Sequence, residues 1–329
     1  MQNSRAGSTR SLYDAKWRVF ERWCQGRPDR IVPYQASLPT VLSFLQEHLD
    51  NGQAFSTLRG YLAAISACHV GFGNDTVGAH PLVRRFMKGA RRLRPVVRSA
   101  VPLWDLNVVL DALSLAPFEP LASVDLKFLS LKTTMLLALT TAKRVSDLHA
   151  LSVAPECLCF AEGDARVTIK PNPAFMPKNF LAGCNPVDLM AFHPPPFASR
   201  EAQSLNLLCP VRALRLYVDR TAADRSSSQL FVSWDPRARG KSITKVRLSQ
   251  WLVEAIQLAY TSKGMQPPIG LRAHSTRGMS ASWALCRGVS IQDVCMAASW
   301  ASPSTFSTFY SLDVATSSMA HAVLGVASR

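Results

Sequence analysis

The fold of this chain is decided by the stretch from Leu271 to Tyr310, which reads LRAHSTRGMSASWALCRGVSIQDVCMAASWASPSTFSTFY. Its residue spacings predict short consecutive helices that carry a histidine, arginines, a tryptophan and a closing tyrosine. His274 and Arg277 stand three positions apart, so on a helix their side chains lie on one face and can reach a single anion together. An anion-binding site is therefore predicted within this stretch.

The tyrosine that closes the stretch is predicted to lie on a short, anchored helix. Ser302 is a suitable N-cap for a helix whose first residue is Pro303, and aromatic residues follow at three- and four-residue steps up to Tyr310. A phenol has a reference pKa near ~10 and is a poor nucleophile at neutral pH unless cationic donors stabilise the charge that develops in the reaction. Arginines and a histidine would supply such donors.

The charge of the chain indicates the class of its partner. The chain has 329 residues, enough for two domains with separate cores, and its 48% hydrophobic content supports globular folding. The formal net charge is +15, from 37 Lys plus Arg against 22 Asp plus Glu, and the sequence pI is about 9.9. This excess predicts a polyanionic partner, with nucleic acid as the first candidate and a basic ribosome-associated or membrane-surface protein as the alternative. Residues 1–104 hold fifteen Lys or Arg against six Asp or Glu, so the amino-terminal part is the more strongly charged.

Other function classes find little support in the sequence. The eight cysteines show no CxxC pair and no regular framework, which is typical of reduced thiols in a cytosolic or nuclear protein. No HExxH, paired acidic metal site, Walker loop or GxSxG motif is present in the sequence, so neither a metal nor a cofactor is predicted. The first residues lack the apolar core of a signal peptide, and the longest apolar run, around Met135 to Leu139, is far below the ~18 residues of a membrane span. A soluble protein without a membrane partner is expected.

The amino-terminal part predicts four helices, of which the last is strongly basic. The apolar spacings give helices at about 8–25, 38–50 and 56–69, and a fourth that opens at Pro81. The apolar face expected for the fourth helix is Leu82, Phe86, Ala90 and Leu93. Its remaining positions hold six cations that repel one another and that phosphates would stabilise, namely Arg84, Arg85, Lys88, Arg91, Arg92 and Arg94. The alternative interpretation of these cations is a solvated surface helix.

Residues 95–104 predict a linker, and residues 105–329 a larger, mainly helical domain with a small antiparallel hairpin. Helices are predicted at about 104–116 and 123–143; the second leads into Arg144, which can point its guanidinium at a phosphate or pair with Asp147. Strands are predicted at 157–160 and 166–170, with a third around 186–190. The loop before the third strand holds Lys178, which could enter a site as a proton donor, although most loop lysines are only solvated. Helices at about 211–222 and 249–261 flank a basic loop, a second candidate phosphate contact.

Three ordered motifs resemble the tyrosine recombinase (phage integrase) family. TAKRVSDL, residues 141–148, is similar to the family's first-arginine motif, and HSTR, residues 274–277, to its His-x-x-Arg motif. WASPSTFSTFY, residues 300–310, is similar to the family's closing segment, which runs from a His or Trp to the tyrosine. The sequence around the last two motifs is most similar to recombinases of eukaryotic DIRS-type and related mobile elements, or to host genes derived from them.

The chain departs from the family pattern in four respects. Trp300 stands ten residues before Tyr310, where nine is usual, and it takes a position that is more often His. Asp147 stands where Glu is common, and Ala142 where Gly is common. None of these departures removes a catalytic group.

The resemblance implies a role for each candidate site residue. Tyr310 would attack the scissile phosphate and form a 3′-phosphotyrosyl link, while Arg144 and Arg277 would grip the phosphate oxygens. His274 would accept or donate a proton, and Trp300 would pack against the site or donate its indole N–H. The general acid on the leaving 5′-oxygen is predicted to be Lys178, with Lys170 at the end of its strand as the rival.

At the level of the whole chain, the resemblance implies a core-binding domain at residues 1–94 and a catalytic domain at residues 105–329. The implied partner is double-stranded DNA, bound by a homodimer on one site and by a homotetramer when two duplexes are joined. A nuclear location and a role in recombination or integration of a mobile element are expected. The alternatives are a domesticated DNA-binding protein that has lost catalysis, a type IB topoisomerase-like relaxase and a basic structural protein.

Overall fold

The structure is a computed structural model that describes residues 7–29, 31–96, 100–177 and 186–314. The chain divides into two compact units, Met1–Arg98 and Ser99–Arg329. Both units are built mainly of helices, and the second also contains a small antiparallel sheet. The predicted fold class is thereby confirmed.

The described residues of the first unit form four α-helices, α1 (Gly7–Gln25), α2 (Leu38–Asp50), α3 (Phe55–Cys68) and α4 (Pro81–Leu93), and a short 3-10 helix at Pro33–Gln35. Its core is formed by aromatic and aliphatic side chains such as Phe20, Phe44 and Ile65, all fully buried. Helix α2 begins as predicted, because Ser37 Oγ accepts a hydrogen bond from the Thr40 amide at 3.4 Å.

The apolar face predicted for α4 is correct at Ala90 and partly correct at Phe86, which is partly buried against the core, and it is wrong at Leu82 and Leu93. Val83, Met87 and Ala90 are the buried residues of this helix, whereas Leu82 and Leu93 are 47% and 71% exposed. Both sets satisfy helical periodicity. The packing against α2 and α3 decides between them.

The helices of the second unit are α5 (Leu106–Leu113), α6 (Leu126–Thr141), α7 (Val145–His149), α8 (Arg200–Asn206), α9 (Pro210–Thr221), α10 (Lys245–Ser262), α11 (Ser275–Cys286), α12 (Ile291–Ala298) and α13 (Pro303–Phe309). Helix α6 is buried over almost its whole length and contacts α9, α10 and α11, so it is the centre of the core. It begins where Asp125 Oδ1 accepts from the Lys127 amide at 2.7 Å, and it ends at Ala142, whose φ of 47° is left-handed. Helices α5 and α6 are both shorter than predicted.

Strands β1 (Leu158–Phe160), β2 (Arg166–Ile169) and β3 (Val187–Met190) form one antiparallel sheet in the order β1-β2-β3. Leu158 pairs with Ile169 between the first two strands, and Ile169 pairs with Val187 between the second and third. The inward side chains Val167 and Ile169 are fully buried. The predicted hairpin and third strand are therefore confirmed.

Two further helices, α8 and α10, differ from the sequence prediction. Helix α8 was not predicted; Ser199 Oγ caps it by accepting from the Ala202 amide at 3.0 Å. Helix α10 begins at Lys245 instead of near residue 249, because Thr244 Oγ1 accepts from the Arg247 amide at 3.2 Å. In the part of the chain that the structure describes, no helix combines the length and apolar character needed to cross a bilayer.

Helices α11, α12 and α13 pack on one another at the carboxyl end of the described chain. Their apolar residues form a small cluster with the residue that ends α6: Ala142, Ala281, Val294, Cys295, Ala298, Trp300 and Phe306. Tyr310 packs against this cluster. The left-handed end of α6 and the last three helices are thus brought together in space.

Candidate active site

Tyr310 is the first residue after α13 and is held through both its backbone and its side chain. Its amide donates to the Phe306 carbonyl at 2.8 Å, and the Phe306 ring is buried in the small cluster. Its hydroxyl lies 2.9 Å from His274 Nε2, within hydrogen-bond distance. His274 is exposed and Tyr310 is half-buried, so the phenol can be reached from solvent.

Arg277 lies three residues after His274 on α11, and its side chain is only 1% exposed. Its Nη2 donates to the Ala298 carbonyl at 3.0 Å. The guanidinium carbon stands 5.0 Å from the ring centroid of Trp300 and 5.2 Å from that of Tyr310, which are cation–π distances. The first helix of the stretch therefore carries an arginine against the ring of the closing tyrosine.

The remaining donors of Arg277 are buried without an acceptor. Among the described residues, Arg277 Nε and Nη1 and Trp300 Nε1 are buried and have no hydrogen-bond partner. A buried donor that makes no hydrogen bond costs on the order of 1–3 kcal/mol, and more when it is charged. Three such donors near one phenol indicate a site that is built to bind acceptor oxygens.

The charge of Arg277 is consistent with a site that binds acceptor oxygens. Burial and, after it, the charge of Arg144 lower its pKa to about 10, while Tyr310 and Asp147 act more weakly in the opposite direction. At neutral pH the guanidinium therefore remains charged. Its strongest charged neighbour is a second cation, Arg144, and among the described residues no carboxylate forms an ion pair with it.

Trp300 is 6% exposed and stacks on the tyrosine. The two ring centroids are 4.7 Å apart, with an interplanar angle of 25°. The preceding residue, Ser299, ends α12 in a left-handed conformation with φ of 52°, and its hydroxyl accepts from Lys143 Nζ at 2.9 Å. The ten-residue interval between Trp300 and Tyr310 therefore still brings the indole onto the phenol.

Arg144 precedes α7 and is half-buried. Its amide donates to Asp147 Oδ2 at 3.3 Å, and its Nη1 lies 3.9 Å from the same oxygen. The carboxylate thus holds the backbone at the start of α7 and makes only a long contact with the guanidinium, which stays available for another anion. Of the two alternatives foreseen for this arginine, the contact with Asp147 is present at a long distance, and the contact with a phosphate stays a prediction.

Of the two candidate general acids, only Lys170 belongs to the described residues, so the assignment of Lys178 stays a prediction. Lys178 lies outside the described residues. Lys170 follows β2 and is exposed, and its charge contributes to lowering the pKa of Asp188, after the Thr168 hydroxyl and Arg166 as stronger causes. No contact within the described part of the chain joins the Lys170 side chain to Tyr310.

The cations of α4 belong to the first unit. All six predicted contacts, Arg84, Arg85, Lys88, Arg91, Arg92 and Arg94, are exposed. The helix contains no acidic residue, so no ion pair within it neutralises them. In the second unit, the predicted basic loop is only partly free for an anion, because Arg239 Nε donates to Asp224 Oδ2 at 2.5 Å.

Sequence reasoning missed two small residues of α11 that contact the tyrosine segment. Ser282 Oγ donates to the Tyr310 carbonyl at 3.3 Å and accepts from the Leu312 amide at 2.9 Å. Gly278 lies so close that an added Cβ would stand 3.0 Å from the Tyr310 carbonyl oxygen. The only sequence signal was that the two residues lie four apart, on one face of a helix that also carries Arg277.

The site can hold an anion and supply a nucleophile to it. A phenol paired with an imidazole, beside a fixed guanidinium and near a second one, has the parts needed to attack a phosphodiester and stabilise the charge that develops. A groove that begins at His274 and Ser146 and extends to Lys245 gives an extended ligand a path past the site. Within the described residues, no group of three or more His, Cys, Asp or Glu side chains could hold a metal ion.

Comparisons with known proteins give a fold but no close relative. No family model and no curated protein matches the sequence. Among solved structures, the Tn1549 transposon integrase in complex with transposon right end DNA is 11% identical, with a TM-score of 0.58, over 98% of this chain and 94% of that one. The XerH site-specific recombinase bound to palindromic difH substrate is 12% identical, with a TM-score of 0.55, over 92% of this chain and 76% of that one.

A lambda integrase dimer bound to a COC′ core site is 14% identical, with a TM-score of 0.54, over 96% of this chain and 92% of that one. At this level of identity the similarity establishes the fold. The chain has the fold of these integrases and recombinases across nearly its whole length.

Proposed function

We propose that this protein is a tyrosine recombinase that cleaves and rejoins double-stranded DNA through a 3′-phosphotyrosyl intermediate at Tyr310. The observation that carries the proposal is the hydrogen bond between Tyr310 Oη and His274 Nε2 beside a buried guanidinium with two N–H groups free of acceptors. The integrase fold supports it, because solved proteins with that fold are bound to DNA core sites and transposon ends.

In the proposed cleavage step, Tyr310 Oη forms a bond to the scissile phosphorus and His274 Nε2 accepts the phenolic proton. The bond between phosphorus and the 5′-oxygen breaks, and that oxygen leaves as a 5′-hydroxyl after it receives a proton. We propose Lys178 as the proton donor, with Lys170 as the rival. Rejoining is the reverse reaction: a 5′-hydroxyl attacks the phosphotyrosyl phosphorus and gives its proton to the lysine, the bond between phosphorus and Tyr310 Oη breaks, and His274 returns the phenolic proton to that oxygen.

The two arginines would stabilise the phosphorane-like state. Arg277 keeps Nε and Nη1 for phosphate oxygens while Nη2 remains on the Ala298 carbonyl. Arg144 is close enough for its charge to lower the pKa of Arg277, so both can face one phosphate. Trp300 would add its indole N–H, which has no acceptor among the described residues.

The remaining elements of the proposal concern the assembly and its context. Residues 1–94 would form a core-binding domain that uses the exposed cations of α4 on the DNA backbone. A homodimer would occupy one site, and a homotetramer would join two duplexes. We also propose that the chain acts in the nucleus and derives from a DIRS-type or related mobile element, as its motifs suggest.

The decisive experiment is covalent capture of DNA by Tyr310→Phe and by the wild type. A pool of duplexes of randomised sequence, each with a nick that lets the cleaved fragment diffuse away, traps the intermediate without knowledge of the target site. The wild type is expected to form a denaturation-resistant adduct that maps to Tyr310 by mass spectrometry. The variant should form none, because it lacks the attacking oxygen, and should bind the pool within about twofold of wild-type affinity.

The matched control is Tyr34→Phe, which removes the hydroxyl of an exposed tyrosine in the first unit. It should retain the adduct. Capture that survives Tyr310→Phe would refute the assignment of the nucleophile, and a wild type that binds DNA without forming any adduct would favour the alternative of a DNA-binding protein that has lost catalysis. An active wild type that relaxes supercoils but does not exchange strands would identify the topoisomerase-like alternative.

A further inference from the structure

The backbone that follows α13 lies against one face of α11. Ser282 Oγ bridges this backbone on both sides of residue 311, since it donates to the Tyr310 carbonyl at 3.3 Å and accepts from the Leu312 amide at 2.9 Å. Leu312 is half-buried. One hydroxyl therefore binds both the carbonyl of the tyrosine and the amide two residues after it.

Gly278 lies one turn before Ser282 on the same face and lets the backbone approach. A Cβ at this position would meet the Tyr310 carbonyl oxygen at 3.0 Å and Leu312 Cδ1 at 3.4 Å. Contacts as short as the first are tighter than ordinary van der Waals packing allows without a shift of the neighbour. The close fit thus depends on the missing side chain.

The same helix carries the anion site. Arg277 is adjacent to Gly278, and His274 stands at the N-cap of α11 and contacts the Tyr310 hydroxyl. Helix α11 therefore fixes the tyrosine at two points: His274 holds the hydroxyl, and the pair of Gly278 and Ser282 holds the backbone.

We propose that Ser282 and Gly278 are positioning residues that fix the Tyr310 nucleophile against the helix that carries Arg277. This inference rests on the proposed function of Tyr310 and adds to it the groups that hold the backbone of the attacking tyrosine. A well-oriented nucleophile reacts much faster than one that must search for its geometry. Loosening the backbone should therefore lower the rate of attack and leave DNA binding unchanged.

The first test is the single-turnover rate of adduct formation by Ser282→Ala at saturating DNA. We expect a rate about tenfold below that of the wild type with an unchanged Kd, because one net hydrogen bond corresponds to about one power of ten. Ser282→Thr keeps the hydroxyl and should restore most of the rate. A merely structural role would lower the amount of folded protein instead, with no selective rescue by threonine.

The matched control for this variant is Ser262→Ala, which removes a hydroxyl that donates to the Ala259 carbonyl at 3.1 Å on the far helix α10. It should react at the wild-type rate. Wild-type cleavage by Ser282→Ala at saturating DNA would overturn the proposal.

A second variant in the same experiment is Gly278→Ala. Alanine favours a helix over glycine, so the melting temperature should stay equal or rise, while the added methyl pushes the Tyr310 backbone away from α11. We expect the rate to fall by at least about tenfold. A variant that is both stable and fully active would contradict the proposed fit.

Hydrogen–deuterium exchange separates this inference from the proposed function. Ser282→Ala should speed exchange of the Leu312 amide at least about tenfold in DNA-free protein, because that amide loses its acceptor. The Trp300 amide, which donates to the Cys295 carbonyl at 2.9 Å, is the internal reference and should be unaffected. If the wild type forms no adduct but exchange of the Leu312 amide is faster in Ser282→Ala, the proposed attack by Tyr310 is refuted and the role of Ser282 in holding the backbone is supported. If the exchange rate of the Leu312 amide does not change, the role of Ser282 is refuted.

Discussion

Two of the buried cations in the second unit, Lys132 and Arg277, lie in contrasting surroundings. Lys132 on α6 is 0% exposed, and its Nζ donates to the Leu113 carbonyl at 2.6 Å and to Glu119 Oε1 at 2.5 Å. Arg277 on α11 is 1% exposed, but it has Arg144 as a charged neighbour and leaves two of its nitrogens without an acceptor among the described residues. Both side chains are buried charges, but only Lys132 forms an ion pair with a carboxylate among the described residues.

This difference separates a structural cation from a ligand-binding one. Burial lowers the pKa of both side chains, that of Lys132 to about 8 and that of Arg277 to about 10. At Lys132, after burial, the strongest cause is Glu119, which raises the pKa through a hydrogen bond and its charge, and Arg212 lowers it more weakly. At Arg277, after burial, the strongest cause is the charge of Arg144, which lowers the pKa, and Tyr310 and Asp147 raise it more weakly. A buried cation beside another cation is costly for the free protein, and a bound anion such as a phosphodiester would offset that cost.

The largest expected effect is that of replacing Arg277, the buried cation without an ion-pair partner among the described residues, on the rate of adduct formation. Arg277→Lys should lower the single-turnover rate of adduct formation by about 10³-fold, because a compact ammonium lacks the planar fork of donors that can hold the Ala298 carbonyl on one side and phosphate oxygens on the other. That loss corresponds to about 4 kcal/mol of transition-state stabilisation. The free energy of unfolding, measured by urea titration, should change by less than about 1 kcal/mol, since a cation remains at the site.

Arg225→Lys is the matched control for this substitution. Its guanidinium donates to the Gln229 and Leu230 carbonyls, so the variant should lose stability and keep the rate of its folded fraction. The comparison fails if Arg277→Lys cleaves DNA at a rate near that of the wild type.

Replacing Lys132, the cation paired with Glu119, should have a smaller effect, and it should change the stability of the protein instead of the rate of adduct formation. Lys132→Met keeps the length of the side chain and removes one partner of Glu119, which still has Arg212. We expect the free energy of unfolding to fall by about 3 kcal/mol, the lower end for a broken buried ion pair. Urea unfolding measures this change, and the adduct rate per folded molecule should stay within about twofold.

The control for the buried lysine lies on the same helix. Lys127→Met removes a partly exposed ion pair with Glu254 at 2.7 Å, which should cost less than about 1 kcal/mol. Equal costs for the two lysines would show that burial does not distinguish them. A loss of catalysis in folded Lys132→Met would place that lysine among the residues that support the site.

The sequence identified the candidate site side chains, but not the groups that hold them in place. Arg144, His274, Arg277, Trp300 and Tyr310 stand in three motifs whose chemistry is readable from residue type and spacing. Their convergence could not be computed from spacing, since His274 contacts a residue 36 positions later. The sequence did not predict a role for Ser282 and Gly278, because that role depends on contact with backbone atoms, and such contacts leave no recognisable pattern in the sequence.

The errors in the fold have local causes. The apolar stripe of α4 was placed on Leu82 and Leu93, whereas Val83 and Met87 are buried, because periodicity gives the width of a stripe but not which neighbouring helix it meets. The late start predicted for α10 overlooked Thr244, a cap whose hydroxyl accepts from the Arg247 amide. That signal was present in the sequence.

Exposed cations form a third class, and their removal should have the smallest effect. Arg84 and Lys88 of α4 lie on the surface of a helix without acidic residues. If they contact phosphates, Arg84→Gln with Lys88→Gln should reduce the slope of log Kobs against log salt by about 2 and weaken DNA binding about tenfold near 0.1 M salt. The rate at saturating DNA should not change.

Binding titrations at several salt concentrations measure that slope, with Arg27→Gln as the control in the same unit. Arg27 already pairs with Glu47 at 2.5 Å and lies over the Trp23 ring, so its loss should leave the slope unchanged. An unaltered slope in the α4 variant would make that helix a solvated surface. A changed slope would show that the exposed cations of α4 attract a polyanion. Together with the effects expected for Lys132 and Arg277, the molecule would then use positive charge in three ways: paired with a carboxylate in the core, buried without an ion-pair partner to stabilise a reaction, and exposed to attract a polyanion. Solvent access and the nearest carboxylate would decide which of these uses a given cation has.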